Sequence, residues 1–416
     1  MKRRYARSHR WRHAQSIDEL DAMACQRLPA FAWEYVSAGA EDERTLTDNR
    51  RAFQRWQWRP RTLVDLSETD SRATLLGRDC AMPLAIAPTG YNGMLWRNAD
   101  IALARAAQRY GVPFTLSTVS CDSIEAVAAA VPEGRLWFQL YPLRDRQATW
   151  DLIERARAAG AEALVVTTDA VVLGRREWDS RSYLSPRRLT PGHTLDALLH
   201  PRWAAQALWP DGLPTLGNLL KYLPAGQHSA ASAASYIGQQ MASDLTWVTL
   251  VEIRRHWPGK LIVKGILDAE DARRCRQLGA DGVVVTNHGG RQLDDSPASL
   301  DCLPAIVDAV GRDLEILLDS GIRRGSDIAK ALALGAHGVL SGRATLYGLA
   351  LGGENGAAHA LGLLHEQLHN TLALLGRPHL AQLDRDCLGP PLHLSRPAIG
   401  GTVPSSPAPP VPGDLP

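Results

Sequence analysis

Residues 261–290 read LIVKGILDAEDARRCRQLGADGVVVTNHGG, and this stretch decides the fold. Two short runs of Val, Ile and Leu enclose a charged, amphipathic segment. Apolar runs of this kind are typical of strands buried on both faces, as in a parallel sheet. The segment between them is typical of a crossover helix, because Asp268 can cap its first turn and Gly279 can end its last. The stretch therefore predicts one strand–helix–strand unit of a parallel sheet.

The same pattern extends in both directions through six more apolar runs: 84-LAIAP, 113-PFTLST, 136-LWFQLY, 163-ALVVTT, 315-EILLD and 338-GVLSG. With 261-LIVKG and 282-GVVVT they make eight strands, and amphipathic segments lie between most of them. Eight such units favour a closed (β/α)8 TIM barrel of the α/β class over an open doubly wound sheet, which stays the alternative fold. The fourth and fifth runs start 98 residues apart, which is too long for one unit. We therefore predict an insertion after strand four, at about residues 175–245.

The predicted insertion contains an apolar and aromatic segment, 198-LLHPRWAAQALWPDGLPTLGNLLKYLP, with basic residues at Arg187, Arg188, Arg202 and Lys221. Aromatic and basic residues around an apolar stretch are typical of a segment that lies in a membrane interface. A lid over the barrel mouth, or a contact with a neighbouring subunit, would have the same apolar character. The sequence leaves these interpretations open.

The domain limits follow from charge and composition. Residues 1–16 are predicted to be a basic N-terminal arm, since six of the first thirteen residues are Lys or Arg and none is acidic. Residues 17–388 are predicted to be the barrel domain, which begins with a helical cap over about residues 17–60. Residues 389–416 are a Pro-rich tail that is predicted to be disordered.

The overall composition excludes several classes of protein. Hydrophobic residues make up 45% and charged residues 22% of the chain, as in a folded protein. The formal net charge of +2 provides no field for nucleic acid, so no nucleic-acid partner is expected. The six cysteines form no C-x-x-C pair, which indicates structural thiols in a reducing cytosol. Neither a transmembrane helix nor a signal peptide is expected. The predicted location is cytoplasmic, with peripheral attachment to the inner face of the plasma membrane if the insertion is interfacial.

Polar groups follow every predicted strand at its carboxyl end, where TIM barrels carry their active sites. This convergence predicts an enzyme, because a purely structural barrel does not need it. Strands seven and eight run into 319-DSGIRRG and 341-SGR. Glycines with arginines at these two ends are typical of a phosphate site for a substrate or a cofactor, and glycines that only make tight turns are the alternative. No metal site is expected.

Strand six ends at 287-NHGGR, so His288 lies on an exposed turn close to Arg291. Histidine can accept a proton near neutral pH, and arginine can bind a carboxylate through two hydrogen bonds. Asp169, after strand four, could orient His288 and stabilise its imidazolium. Lys264, at the end of strand five, is costly to bury without an anion, and it could form a Schiff base or contact an electron-rich cofactor. The alternative is that His288 has only a structural role and does not act as a base.

From about Ile17 to Leu388 the chain resembles the FMN-dependent (S)-2-hydroxy-acid dehydrogenase/oxidase family. The most specific match is 286-TNHGGRQLD, and the others are 37-SAGAEDERTL, 138-FQLY, 168-TDAVVLGRRE, 263-VKGI, 319-DSGIRRGSDIAKALALGA and 341-SGRATLYGLA. The stretches 88-PTGYNGMLW and 200-HPRW most resemble the mandelate dehydrogenase branch, whose members attach to membranes through this insertion. The resemblance implies FMN as the cofactor and a homo-oligomer, commonly a tetramer.

The resemblance also implies a role for each matching residue. His288 would take a proton from the substrate, with Asp169 as its paired carboxylate, and the catalytic set would be completed by Tyr141 and Lys264. Substrate contacts would come from Tyr35, Tyr141, Arg176 and Arg291 as well as from His288. Lys264 would also stabilise the reduced flavin. The remaining FMN contacts would come from Pro88, Thr89, Gly90, Ser117, Gln139, Thr167, Asp319, Ser320, Gly321, Arg323, Gly342 and Arg343.

The implied reaction oxidises an (S)-2-hydroxy acid, either mandelate-like or lactate, to the 2-oxo acid and passes electrons from reduced FMN to a quinone or another membrane acceptor. Gly90 and Val119 stand where many oxidases of the family have Ala and Trp, which favours a bulky substrate and a dehydrogenase. The first alternative is an oxidase that makes hydrogen peroxide. Remoter alternatives are a flavin-dependent isomerase of isoprenoid diphosphates and a non-catalytic flavin-binding or membrane-scaffold protein. Hydride and carbanion routes use the same residues.

Overall fold

Eight parallel strands form a closed barrel in the structure, a computed structural model that describes residues 11–184, 188–223, 230–311 and 313–389. The strands follow one another around the barrel in chain order, and the eighth pairs with the first. The barrel strands are β1 Leu84–Ile86, β2 Phe114–Ser117, β3 Leu136–Leu140, β4 Ala163–Thr167, β5 Lys260–Ile266, β6 Gly282–Val285, β7 Glu315–Leu318 and β8 Gly338–Ser341. All eight predicted strands are present, so the TIM barrel is confirmed and the open sheet is wrong.

Helices cap the barrel and surround it. The predicted helical cap consists of α1 Ile17–Arg27, α2 Ala30–Ser37 and α3 Arg44–Arg55. The helices that follow are α4 Ala99–Arg109, α5 Ile124–Ala130, α6 Arg146–Ala158, α7 Glu177–Ser180, α8 Pro191–Leu198, α9 Pro201–Ala207, α10 Ala230–Gln240, α11 Trp247–His256, α12 Ala269–Gln277, α13 Ser299–Val310, α14 Gly325–Ala333 and α15 Arg343–Leu375. The predicted cap of α12 is present, because the carboxylate of Asp268 accepts hydrogen bonds from the backbone N–H groups of Glu270 and Asp271.

Apolar side chains on both faces of the strands explain why the strand sequences are continuous apolar runs. Alternate residues, among them Trp137 and Val165, form a cluster of their own in the barrel interior, and the others pack against the helices. A hairpin that the sequence analysis does not predict, Ala73–Leu75 with Arg78–Cys80, adds to the interior cluster. Its Leu76 N–H donates to Glu315 at the start of β7, so the hairpin closes the amino-terminal end of the barrel. The site forms at the other end.

The predicted insertion lies between β4 and β5 and contains α7, a hairpin of Tyr183–Leu184 with Arg188–Leu189, and α8 to α10. Its inner side packs on the barrel mouth. The Nε1 atom of buried Trp203 donates to the carbonyl of Met94 at 2.7 Å, and Asn218 donates to the carbonyl of Ser117 at 3.0 Å. Its outer side exposes large apolar residues, namely Leu195, Leu198, Leu199, Trp209 and Leu213. The insertion thus combines the packing of a lid with an exposed apolar surface.

Some predictions concern parts of the chain that the structure does not describe. Residues 1–10 of the basic arm, Arg187 of the insertion and residues 390–416 of the Pro-rich tail lie outside the described residues. The described end of the arm is packed, since the Trp11 ring meets the His359 ring edge-on at a centroid distance of 5.9 Å. Within the described ranges, no helix has the length and apolar character needed to cross a membrane.

Candidate active site

His288 lies on the turn that follows β6, where three successive residues have left-handed backbone conformations. The φ angle is 59° at His288, 68° at Gly289 and 73° at Gly290. Glycine adopts this conformation freely, whereas histidine adopts it only when its surroundings hold it there. The turn brings the imidazole to Asp169, which follows β4, with His288 Nδ1 2.9 Å from Asp169 Oδ1. Both side chains are largely buried, so the prediction of an exposed position for His288 is wrong.

The other ring nitrogen of His288 faces Tyr141, whose Oη lies 3.4 Å from Nε2. When Nδ1 carries the proton and donates it to Asp169, Nε2 has a free lone pair and can accept a proton. Burial lowers the pKa of His288, and the nearby charges of Lys264 and Arg176 lower it further, against the opposing effect of Asp169. The imidazole is therefore neutral at neutral pH and can act as a base.

Two arginines meet beside this pair. Arg291 Nη1 donates to the carbonyl of Ala38 at 2.7 Å, and its guanidinium lies over the ring of Tyr35, 5.5 Å from the centroid. Arg176 Nε donates to the backbone carbonyl of Arg291 at 3.4 Å. Burial lowers the pKa of Arg291 well below its usual value, and the charge of Arg176 lowers it further. A bound carboxylate would relieve this repulsion and accept hydrogen bonds from both guanidinium groups.

Lys264 is buried at the end of β5, and its anionic partner is a residue of the chain itself. Its Nζ lies 3.1 Å from Oδ2 of Asp319 at the end of β7 and 3.5 Å from Oγ1 of Thr286. A buried amine paired with a carboxylate is held in place as a cation. The Schiff-base interpretation of Lys264 needs a neutral amine, and this ion pair disfavours it.

A buried chain of hydrogen bonds links the ends of β2, β3 and β4. The Oγ of Ser117 donates to Oε1 of Gln139 at 2.9 Å, and Nε2 of Gln139 donates to Oγ1 of Thr167 at 3.0 Å. These two hydrogen bonds fix the orientation of the Gln139 amide at the carboxyl end of the barrel strands. The family resemblance predicts that all three residues contact the flavin ring.

Comparisons with known proteins identify the family. A sequence profile described as FMN-dependent dehydrogenase matches residues 24–390. The chain belongs to the FMN-dependent dehydrogenase family. It is 43% identical over 374 residues to (S)-mandelate dehydrogenase of Pseudomonas putida, which covers 90% of this chain and 93% of that protein. It is also 43% identical over 376 residues to an L-lactate dehydrogenase of Azorhizobium caulinodans, which covers 90% of this chain and 98% of the relative.

A solved structure agrees with both sequence relatives. The crystal structure of a monotopic membrane protein, (S)-mandelate dehydrogenase, matches this fold with a TM-score of 0.87 at 43% identity and covers 91% of this chain and 100% of that one. Family membership makes this chain an FMN-dependent oxidoreductase of α-hydroxy acids and sets aside the isomerase and the non-catalytic alternatives. Because a mandelate and a lactate relative are equally identical to the chain, identity alone does not decide the side chain of the substrate.

The ends of β7 and β8 fit the phosphate of FMN. Arg323 is buried, its Nη1 donates to the carbonyl of its neighbour Ile322 at 2.8 Å, and its Nε has no partner among the described residues. The buried Oγ of Ser341 has none there either. A buried guanidinium with an unused donor is costly without an anion, so an oxyanion such as a phosphate suits this place.

The backbone around this place leaves no room for larger residues. At Gly321, where φ is 89°, a Cβ would lie 2.4 Å from the carbonyl oxygen of Asn49. Ser320 has a φ of 87°, and its Oγ accepts a hydrogen bond from the N–H of Gly289 at 2.9 Å. At Gly342 a Cβ would lie 3.3 Å from Cγ2 of Thr89. These close approaches bring the ends of β6, β7, β8 and β1 around one cradle.

The segment after β1, with Pro88, Thr89 and Gly90, is fixed by a residue that the sequence analysis does not name. Nδ2 of Asn92 donates to the carbonyl and to the Oγ1 of Thr89, both at 3.0 Å, and also to Oδ1 of Asp100 at 2.7 Å. Tyr35 Oη donates to the carbonyl of Gly90 at 3.0 Å. The predicted flavin-facing segment is thus held from two sides.

Gly90 also touches the segment after β2. A Cβ at Gly90 would lie 2.4 Å from Cγ2 of Val119, and the N–H of Tyr91 donates to the carbonyl of Val119 at 2.9 Å. The two positions at which this chain departs from many oxidases of the family are therefore neighbours in space. A side chain added at position 90 would therefore collide with Val119.

The side chain of Arg343 has a contact that the sequence analysis does not anticipate. Its Nε donates to the carbonyl of Val36 at 2.9 Å, Nη1 to that of Gly289 at 2.9 Å and Nη2 to that of Ala38 at 3.2 Å. Burial lowers the pKa of Arg343 to about 10, so the group stays charged at neutral pH. Arg343 therefore ties the cap segment after α2 to the turn of His288, and its predicted phosphate contact stays a prediction.

One metal-ligand spacing is present in α15, although no metal site is expected from the sequence. Residues 365–369 read HEQLH, the H-E-x-x-H pattern in which two histidines on one helix face bind zinc. In α15, Nε2 of His365 lies 2.8 Å from Oγ of Ser71. Among the residues that the structure describes, no group of three or more His, Cys, Asp or Glu could hold a metal ion. The spacing alone therefore does not make a metal site.

Proposed function

We propose that this FMN-dependent dehydrogenase oxidises an (S)-2-hydroxy acid with an aromatic side chain to the 2-oxo acid. The observation that carries the proposal is the contact of His288 with Asp169, 2.9 Å between Nδ1 and Oδ1, beside the two arginines. Oxidation of a hydroxy acid needs a base for a proton and a cationic group for the carboxylate, and this site provides both.

The residues divide the work as follows. Arg291 and Arg176 bind the carboxylate of the substrate and so set its orientation. His288 Nε2 accepts a proton from the hydroxyl or the α-carbon, and the ionised Asp169 stabilises the imidazolium that forms. Burial raises the pKa of Tyr141, and the charge of Asp169 raises it further, so its hydroxyl stays protonated and can donate to the substrate.

Bound FMN supplies the acceptor for the two electrons that leave the substrate. The residues that would hold it are Arg323 and the glycine-rich ends of β7 and β8 at the phosphate, and Gln139 with its partners at the ring. Lys264 supports this role as a buried cation that offsets negative charge. The lid side of the insertion, through Trp203, excludes water from the same mouth.

The aromatic preference is supported by the corner at Gly90 and Val119. A Cβ at Gly90 would lie 2.4 Å from Cγ2 of Val119, so a side chain at position 90 would displace Val119 within this corner. A phenyl group needs more room there than the methyl group of lactate. This corner, rather than the charged groups, is expected to select among hydroxy acids, since all of them share the carboxylate and the hydroxyl.

The test is anaerobic mixing of the purified FMN-loaded protein with (S)-mandelate, (S)-lactate and glycolate, followed by bleaching of the flavin absorbance. Mandelate is expected to bleach the flavin at least about tenfold faster than lactate, as a few contacts in an apolar pocket allow. Equal rates would contradict the aromatic preference. The control is His288→Ala. It should still bind the substrate, but its flavin should bleach at least about 10²-fold more slowly than that of the wild type. Rapid hydrogen peroxide formation in air would instead favour the oxidase.

The electron acceptor is proposed to be a quinone or another membrane component, which the protein reaches from the membrane surface. The support is the outer side of the insertion, where Leu198, Leu199 and Trp209 are each more than two-thirds exposed beside the exposed Arg202. Apolar and basic residues together favour binding at the surface of an anionic bilayer. The mandelate dehydrogenase of similar structure is described as a monotopic membrane protein.

Flotation with vesicles of phosphatidylglycerol and phosphatidylcholine tests this proposal. The chain should float with the vesicles, and the variant Leu198→Ser/Trp209→Ser should stay in the dense fraction. Leu374→Ser is a matched control, because Leu374 is 80% exposed on α15, outside the insertion. Unchanged flotation of the double variant would contradict the proposal.

The homo-tetramer implied by the family resemblance is a further proposal, which light scattering tests directly.

A further inference from the structure

Two buried asparagines join the N-terminal cap to the turn that carries His288. Asn49 lies in α3 and is 2% exposed, and Asn287 precedes His288 and is 5% exposed. Their amides pair reciprocally. Nδ2 of Asn49 donates to Oδ1 of Asn287 at 2.8 Å, and Nδ2 of Asn287 donates to Oδ1 of Asn49 at 2.8 Å. The two residues are 238 positions apart in the sequence, and both hydrogen bonds between them are buried.

The remaining hydrogen-bonding capacity of Asn287 is used on the same turn. Its Oδ1 also accepts from the N–H of Gly290 at 3.1 Å, and its Nδ2 also donates to the carbonyl of Pro297 at 3.0 Å. On the other side, Oδ1 of Asn49 accepts from the N–H of Ser299 at 3.3 Å. Every donor of the Asn287 amide therefore has a partner, and the amide bridges the two ends of the turn.

The turn needs such support because its backbone is unfavourable for histidine. His288 has a φ of 59°, and the two glycines that follow it also have left-handed backbone conformations. The approach of α3 is close, since a Cβ at Gly290 would lie 2.5 Å from the backbone nitrogen of Leu46. A residue in this conformation persists only where its surroundings determine it. The amide pair is a buried polar contact that joins this turn to α3.

We propose that Asn49 and Asn287 are positioning residues, which hold the backbone of the His288 turn so that the imidazole meets both Asp169 and Tyr141. They act through His288 and do not touch the reacting atoms. The inference rests on the proposed role of His288 as the base. A base displaced by about 1 Å costs on the order of 10²-fold in rate, so the pair matters for turnover more than for substrate binding.

The chemistry of the pair provides a sharp substitution. A carboxylate cannot donate a hydrogen bond, so an ionised Asp at position 49 would set an oxygen against Oδ1 of Asn287. A protonated Asp restores the pair, because its hydroxyl donates where the amide nitrogen did. Asn49→Asp still needs a neutral His288, so its activity should rise at low pH as in the wild type and then fall once the new carboxyl ionises. The variant should therefore have a bell-shaped pH profile where the wild type reaches a plateau.

The experiment measures kcat and KM of the FMN-loaded wild type, Asn49→Ala and Asn49→Asp between pH 5 and 8, with mandelate and an artificial electron acceptor. The matched control is Thr45→Val, because Thr45 is buried on the same helix but its hydroxyl donates to the carbonyl of Ser296, outside residues 287–290. We expect Asn49→Ala to lose kcat on the order of 10²-fold with KM changed less than about threefold. The control should lose less than about threefold in kcat.

Two outcomes decide the proposal. A loss of kcat in Asn49→Ala with retained FMN, together with a loss of activity at high pH in Asn49→Asp that the wild type does not show, supports it. A loss that matches that of Thr45→Val, with a wild-type pH profile in Asn49→Asp, overturns it. If Asn49→Ala does not fold, the pH profile of Asn49→Asp decides alone, because this variant keeps the pair wherever its new carboxyl is protonated. A wild-type protein that does not bleach with any hydroxy acid would contradict the proposed function instead.

Discussion

His288 Nδ1 lies 2.9 Å from Asp169 Oδ1, whereas the second carboxylate oxygen, Oδ2, is buried without a hydrogen-bond partner among the described residues. Among the described residues, the side-chain hydrogen bond of the Asp169 carboxylate is therefore the one with His288. Burial raises the pKa of Asp169, but the interaction with His288, its hydrogen bond and the charge of Lys264 outweigh burial and hold the pKa below its usual value. Asp169 stays ionised wherever the enzyme is active, and it fixes the proton of His288 on Nδ1.

Asp169→Asn should lower kcat by about 10³ to 10⁴-fold, because an amide can present its nitrogen to Nδ1 and favour the wrong tautomer. The fold should be retained, since the shape of the side chain is unchanged. Steady-state kinetics with mandelate and an artificial acceptor measures the loss. Asp244→Asn, at an exposed carboxylate of the insertion, is the control and should behave like the wild type. A loss below tenfold in Asp169→Asn would exclude Asp169 as an essential partner.

The pH dependence of kcat/KM reports the base of the free enzyme. The pKa of His288 is lowered from 6.5, so activity should be retained at pH 6.5 and lost only as pH falls through the lowered value. Lys264 is one of the causes of that lowering, so Lys264→Met should move the acid limb to higher pH. It should also slow flavin bleaching, because a buried cation is lost. An acid limb that stays in place in Lys264→Met would show that the two groups do not interact.

Lys264→Met also leaves Asp319 without its ion-pair partner in a largely buried place. Removing one member of a buried pair costs about 3–5 kcal/mol of unfolding free energy. The double variant Lys264→Met/Asp319→Asn removes both charges and should regain much of that stability without regaining activity. Denaturant unfolding and flavin bleaching measure the two effects separately. Parallel recovery of stability and activity would contradict a role of Lys264 in the reaction.

The corner at Gly90 and Val119 predicts a change of substrate preference. Gly90→Ala forces Cγ2 of Val119 to move, because the new Cβ would lie 2.4 Å from it. The ratio of kcat/KM for mandelate to that for lactate should fall by about 10-fold or more, as one methyl group in an apolar pocket can achieve. Gly90→Ala/Val119→Ala removes the collision and should restore most of the ratio. If the ratio does not change in the single variant, the aromatic ring binds elsewhere.

The sequence predicts the barrel well because each of its strands is buried on both faces. Runs such as 163-ALVVTT and 282-GVVVT have few other stable environments, and the residues after them must meet at one end of a closed barrel. The sequence therefore predicts that His288, Asp169 and Arg291 lie together, and the family resemblance predicts their roles. Sequence and structure agree best at the residues that directly follow the strands, because the strand pattern fixes where their side chains lie.

The contacts that the sequence does not predict are those between distant segments of ordinary composition. Asn49 lies in a polar helix, and nothing local distinguishes it from other surface asparagines until Asn287 is seen beside it. Arg343 carries the expected charge, but its carbonyl partners on the cap depend on how α2 approaches β8. The hairpin of residues 73–80 is too short for a periodic pattern. Each of these features is determined by packing, which sequence spacing does not describe.

Asp100, at the start of α4, predicts a pH dependence of stability that is independent of the base. It is completely buried, it accepts hydrogen bonds from the N–H groups of Cys121 and Asp122, and Asn92 links it to Thr89. Burial raises the pKa of Asp100 from 3.8 to about 7, and the charge of Asp122 adds to the effect. The folded protein thus keeps a proton that the unfolded chain releases near pH 4.

Because the folded state binds more protons here, the contribution of Asp100 to stability is full below pH 3.8 and declines as pH rises to about 7. Asp100→Asn cannot ionise, so relative to the wild type it should become more stable with each step from pH 5 to pH 8, by up to a few kcal/mol on the order expected for such a shift. Thermal unfolding at a series of pH values measures the difference. Asp211→Asn, at an exposed carboxylate, is the control and should follow the wild-type curve. Parallel curves for Asp100→Asn and the wild type would mean that Asp100 is ionised in the folded protein, and that Asn92 and the N–H groups of Cys121 and Asp122 suffice to hold its charge.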